Sequence, residues 1–310
     1  MKAIKSYCIH ALLMMVCIFL SASCSAAESS PEIVLIGSTP GDALIKSLLT
    51  IPSDTKVDFI RWDLKLNNES ANPNSFVLNI AFGEGQPNTS WFKKGEEKRI
   101  FEGTFTVSKN ENVKMGSTVY HLKSSSWPNR ISMVKISENL FHLLTPQNHL
   151  MLGNGGWSYS LNRKDTVDSG EILIASVMSE DKSLQLTFDG RTPCRDIAAE
   201  HPEMNANKSC FKLKWRLILN RDTVNHLPTT YIIRKIVNNE PRDVSGKWTI
   251  IKGTPSNPNT IIYKIDPDKP AESLSFLVGD DNVLFFLNKK NEPHIGNEDF
   301  SFTLNKKISK

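Results

Sequence analysis

Apolar and polar side chains alternate along much of this chain, and helical periodicity is scarce. Trp62-Asp63-Leu64-Lys65-Leu66, Thr104-Phe105-Thr106-Val107 and Trp157-Ser158-Tyr159-Ser160-Leu161 show the pattern in the N-terminal half. Trp215-Arg216-Leu217-Ile218-Leu219, Lys247-Trp248-Thr249-Ile250 and Phe300-Ser301-Phe302-Thr303-Leu304 answer it in the C-terminal half. A period of two is what a half-buried strand requires. Turn residues such as Asp266-Pro267-Asp268 and Gly279-Asp280-Asp281-Asn282 punctuate the runs. Short strands separated in this way predict an all-β barrel or sandwich. Two segments alone read as helical, Asp42 to Leu49 and Arg195 to His201, each stopped by a nearby proline, Pro52 and Pro202.

The chain is also written twice. Gly37-x-Thr39-Pro40 recurs as Gly190-x-Thr192-Pro193, and Trp62-x-Leu64-x-Leu66-Asn67 as Trp215-x-Leu217-x-Leu219-Asn220, both at an offset of 153. A block from Gly103 to Arg163 recurs from Gly246 to Lys306 at an offset of 143. Such repetition predicts two copies of one fold, 33–164 and 165–310, with Ile172 to Ala175 and Leu184 to Phe188 as early strands of the second. The copies differ most between Asn67 and Gly103, where the first is longer and carries Trp91-Phe92 in a charged setting. An aromatic pair there is a candidate interface.

Residues 1–23 carry Lys2 and Lys5, then an apolar run from Ala11 to Leu20, then small residues, the layout of an export signal. The run is too short to span a bilayer. Leu20-Ser21-Ala22-Ser23-Cys24 reads as a loose lipobox, with Cys24 as the lipid acceptor and 24–32 as a tether; cleavage after Ala26 or Ala27 is the alternative. The formal charge of +4 falls to +2 once Lys2 and Lys5 leave. Near-neutrality and the absence of a long basic run argue against nucleic acid as a partner. Cys8 and Cys17 leave with the signal, so Cys194 and Cys210 remain for one disulfide in an exported domain. Their first-copy counterparts, Gly41 and Val57, are both non-cysteine, as expected of a bridge gained as a pair.

Phe188-Asp-Gly190-Arg-Thr-Pro193-Cys194, the strand Leu213 to Asn220, Gly246-Lys-Trp248 and the closing stretch Val283 to Asn305 resemble the N-terminal domain of NlpE-like copper-resistance lipoproteins. The resemblance covers nearly all of the mature chain, twice. It implies tandem small antiparallel β-barrels, lipocalin-like, each with one short helix, on an exported lipoprotein of the bacterial envelope, expected in the outer membrane and facing either the periplasm or the surface. That family carries a Cys-x-x-Cys pair after the proline, whereas Ile197 holds the second position here. Copper binding is therefore not carried over.

Other chemistry is weak. His142, His149 and Met151 could be copper ligands by donor type, but their repeat partners are Phe285, Glu292 and His294. Ser38 in Gly37-Ser38-Thr39-Pro40-Gly41 stands one residue early for a nucleophile elbow. Asp266/Asp268 and Asp280/Asp281 read as turn residues rather than calcium ligands. No catalytic residue, metal or cofactor is expected. The expectation is a non-enzymatic binding, sensing or scaffolding module, held to the membrane by its lipid and partnered by an envelope protein. A lipocalin-like carrier of a small apolar ligand, with Trp62, Trp157, Trp215 and Trp248 lining its cavity, is the alternative.

Overall fold

The structure is a computed structural model that describes residues 32–69, 72–110, 117–176, 181–200, 210–237, 240–254 and 257–308. The signal segment and Cys24 lie outside the described residues. The first copy is a closed antiparallel barrel of eight strands: β1 (Ile33–Pro40), β2 (Phe59–Glu69), β3 (Asn72–Gly83), β4 (Glu97–Asn110), β5 (Ser117–Lys123), β6 (Ile131–Ser137), β7 (Leu140–Leu144) and β8 (Ser160–Arg163). The second repeats it with β9 (Gln185–Thr192), β10 (Leu213–Arg221), β11 (Pro228–Val237), β12 (Glu240–Lys252), β13 (Ile261–Ile265), β14 (Ser275–Val278), β15 (Val283–Leu287) and β16 (Thr303–Lys306). Each barrel closes by pairing its last strand with its first, β8 with β1 and β16 with β9. Between barrel and sandwich, closure settles the question.

One short helix follows the first strand of each barrel, α1 (Ala43–Leu48) and α2 (Arg195–Glu200). Asp42 caps α1 by accepting the Ile45 N–H at 3.1 Å, which satisfies a donor that has no partner inside the helix. Its other carboxylate oxygen accepts the Tyr159 hydroxyl. Ile45 and Leu48 face the barrel and are buried.

The residues both copies keep are those that closure needs. A Cβ at Gly37 would stand 2.8 Å from the Ser160 carbonyl, and one at Gly190 2.6 Å from the Thr303 carbonyl. The closing strand thus passes too near for any side chain. Two residues on, Thr39 accepts the Trp62 indole N–H at 2.9 Å, and Thr192 accepts that of Trp215 at 2.8 Å. Both tryptophans are buried, so the hydroxyl pairs a donor that would otherwise be stranded in the core.

Alternation of burial holds on β2, β3, β10 and β11, with β10 burying every second residue from Leu213 to Leu219, while among the described residues β4 buries only Phe101 and Phe105 and β12 only Trp248. Trp62, Phe76, Phe82, Phe141 and Tyr159 pack the first interior; Trp215, Tyr231, Phe276, Phe286 and Phe302 pack the second. Alternation fails on β6, β7, β14 and β15, which are buried on nearly every residue. Their second faces, with Val119 of β5 and Ile262 of β13, meet in an apolar seam between the barrels, built from equivalent positions of the two copies: Val119 and Ile262, Val134 and Leu277, Leu140 and Val283, Leu144 and Leu287. Ile172 and Ile174 fill its edge.

The segment Ile172 to Ala175, expected as a strand, is therefore irregular chain that plugs this seam, with Leu173 donating its N–H to the Ile136 carbonyl. The expected strands from Trp157 and from Phe300 begin only at Ser160 and at Thr303. The residues before them leave the ladder to meet the other barrel, in the same way in both copies.

Candidate functional site

The seam has an approximate two-fold relation between the copies. Ser158 bonds its own repeat equivalent, Ser301, at 2.6 Å, and Ser160 bonds Thr303 at 2.8 Å. Gly153 N–H donates to Asn305 Oδ1 and Gly296 N–H to Asn162 Oδ1, each at 2.7 Å, so one contact is made reciprocally. Self-matching contacts of this kind are what isologous pairing produces, here inside one chain.

His142 sits in the seam with its ring edge on Phe285, its repeat partner, at 5.6 Å between centroids. Its Nε2–H faces the Met151 carbonyl at 2.9 Å, which leaves Nδ1 to accept from Ser160 at 3.0 Å. Burial pushes its pKa down to about 4, so the ring is neutral near pH 7. Both nitrogens are thus engaged within the protein. The Met151 side chain belongs to the first barrel's core, and His149 is exposed. Among the described residues, no three His, Cys, Asp or Glu side chains gather as a metal site. Asp266 accepts the Tyr231 hydroxyl, and Asp280 accepts the N–H groups of Asn282 and Val283, as turn carboxylates do.

Beside the seam the copies diverge. In the first, the long connection after β3 folds back over β2. Phe92 stacks on Phe59 at 4.4 Å, and Phe59 stacks on Trp157 at 5.0 Å. Arg61 donates to the Ser90 carbonyl at 2.9 Å and pairs with Asp299 at 2.5 Å, and Ser38 donates to the Glu298 carbonyl at 2.6 Å. This corner is closed. The candidate pair Trp91-Phe92 is split by it: Phe92 is part of the packing, while Trp91 projects outward at 71% exposure.

The equivalent corner of the second copy is open, a groove of about 330 Å³ lined by Gly155, Gly156, Arg191, Lys214 and Arg216 among others. Here Arg191 stands in place of Ser38, Lys212 of Phe59, and Lys214 of Arg61. Gly155-Gly156 stand where the closed corner has Glu298-Asp299. A Cβ on Gly156 would come 3.3 Å from the Arg191 guanidinium carbon, and Gly155 has φ +75°. Glycine thus lets the first barrel's loop approach β9 and leaves the groove wall without a side chain.

The charges on this face differ by row. Asp189, Arg216, Arg234 and Asp243 lie side by side across β9 to β12 and form two bidentate ion pairs. In the next row Arg191 lies directly opposite Lys214, followed by Ile236, with no acid. Like charges facing each other across strands repel. Arg191 rests over the Trp157 ring at 5.2 Å, and burial lowers its pKa. Lys212 is pushed down to about 8 by burial first, then by Arg191 and Lys214.

Cys194 and Cys210 are joined in a disulfide, with Cα atoms 6.0 Å apart. The bridge ties the end of β9 to the start of β10, just beyond Arg191 on one strand and just before Lys212 on the other. It therefore holds the strand ends that present the cations. Sequence reasoning singled out Cys194, Cys210, Trp91 and Phe92 but missed Arg191, Lys212 and Lys214. Part of the signal lies in the repeat, as two positions that turn basic beside a third that is basic in both copies, while an acidic pair becomes two glycines.

No family model, curated protein or solved structure matches the chain.

Proposed function

We propose that the protein is a non-enzymatic lipoprotein of the bacterial envelope, anchored through Cys24, whose two barrels form one scaffold for binding at the groove beside the seam. One observation carries this reading. Two equivalent corners flank the seam; the first copy fills its own with Phe92 and the Arg61–Asp299 pair, and the second leaves its own open and basic. Activity in a duplicated scaffold belongs where the copies differ, because what they share serves closure and packing. The aromatic side chains packing both interiors support placing the ligand outside the barrels rather than within one, as a carrier would.

The anchor is tested by metabolic labelling with palmitate, expected in the wild type and absent in Cys24→Ala. Equal labelling of both, or of neither, would overturn it. Binding is tested by native mass spectrometry of protein extracted from the envelope. A co-purified species lost in the Arg191→Gln/Lys214→Gln variant supports the groove; a species retained in that variant contradicts it.

A further inference from the structure

The geometry points to a phosphate-binding site in this groove, with Arg191 and Lys214 as the anion's ligands and Lys212 adding charge at its edge. The inference rests on the reading of the groove as the binding surface and names the class of ligand. Three observations converge on it. Arg191 and Lys214 face each other on adjacent strands, and Asp189, the only carboxylate among the described residues that line the groove, is held by Nε and Nη2 of Arg216 at 2.8 and 2.9 Å. In the twin corner, the cation at the Lys214 position, Arg61, is neutralised by Asp299, whose equivalent here is Gly156. The groove beside Gly156 is about 330 Å³ and open to solvent, enough for a tetrahedral anion and the group attached to it.

A second anionic side chain is thus missing where the fold has a place for one. A bound anion would supply it. Half-buried cations repelling one another are costly unless paired, and a guanidinium fork beside an ammonium suits an oxyanion with several acceptor oxygens. Phosphate fits better than carboxylate, since a single carboxylate charge would leave the three cations largely unmatched, and its two oxygens cannot serve both Arg191 and Lys214 as fully as three. Gly155-Gly156 let the anion approach the backbone of the opposing loop.

Such a phosphate could be free or part of a lipid headgroup, and the chemistry is the same. The test is calorimetric titration of the full chain in neutral detergent with inorganic phosphate, glycerol phosphate and short-chain phosphatidylglycerol, with short-chain phosphatidylcholine and acetate as comparisons. Saturable binding of phosphate and glycerol phosphate assigns a small soluble ligand. Binding of phosphatidylglycerol alone assigns a headgroup. In either case Lys214→Gln and Arg191→Gln should each weaken binding by about tenfold or more, the scale of a lost charge-assisted hydrogen bond. Lys98→Gln, on an exposed ion pair with Glu96, should leave it unchanged. Lys214 is half exposed on the strand surface, so its variant remains informative if Arg191→Gln fails to fold.

No saturable binding in the wild type, or acetate competing as well as phosphate, would overturn the inference. If a co-purified species were still lost from the double variant, the groove would stand as a site and the phosphate assignment alone would fall. If no species were lost either, both would fall.

Discussion

Trp62 donates its indole N–H to the Thr39 hydroxyl inside the first barrel, and Trp215 and Thr192 repeat the bond in the second. The sequence-level repeat of Gly-x-Thr-Pro and Trp-x-Leu-x-Leu is therefore one physical unit: a glycine that admits the closing strand, and a threonine that satisfies the tryptophan packed beneath it. Thr192→Val keeps the shape and strands the indole donor. It should lower stability by about 1–3 kcal/mol in urea unfolding, while Thr192→Ser costs less.

Neutral His142 is built into the seam, so acid should weaken the fold there. Its folded pKa, about 4, lies below the ordinary value of 6.5. The contribution is thus present in full above about pH 6.5 and lost as pH falls toward and through 4, because the unfolded chain takes up the proton first. His142→Gln should flatten the dependence of urea midpoint on pH in that window, by up to about 3 kcal/mol in total. An unchanged slope would place the ring in water.

Reducing the Cys194–Cys210 bridge, which joins residues 16 apart, should destabilise the protein by about 3 kcal/mol in the chain-entropy model. The same loss is expected of Cys194→Ser/Cys210→Ser, read by thermal unfolding with and without reductant. Reductant should have no effect on the double variant.

Trp91 and Phe92 should part company under mutation. Phe92→Ala removes a ring stacked on Phe59 and should cost about 2–4 kcal/mol, whereas Trp91→Ala, at an exposed position, should stay within about 0.5 kcal/mol. Equal costs would mean that the long loop packs differently.

The strands β2 and β10 were legible because one face meets a core and the other water, so the period of two survives, whereas among the described residues β4 buries only Phe101 and Phe105 and β12 only Trp248, leaving Val107 and Ile250 exposed. Closure into barrels was implied only by resemblance, since alternation alone does not distinguish a barrel from a sandwich. The seam was written in the runs Leu140 to Leu144, apolar but for His142, and Val283 to Leu287, but such runs say that both faces are buried and not what covers them. Ile172-Leu173-Ile174 misled for a related reason: an apolar plug and a short strand have the same composition. The bridge was readable from two cysteines absent together in the other copy. The basic groove was not, because Arg191 and Lys214 become neighbours only through the β9–β10 register, and the loss of Asp299 at Gly156 has meaning only once the two corners are seen to be equivalent.

The open corner brings Arg191, Lys212 and Lys214 together, and Asp189, the one carboxylate among the described residues that line it, is already paired with Arg216. Lys212 reports on it directly, since burial and the nearby Arg191 and Lys214 push its pKa down to about 8. Titration of the labelled Lys212 side chain by NMR should give a midpoint near 8, rising when phosphate is added. A midpoint at the ordinary lysine value near 10.4, unmoved by phosphate, would mean that the cations are solvated separately and would contradict the phosphate assignment.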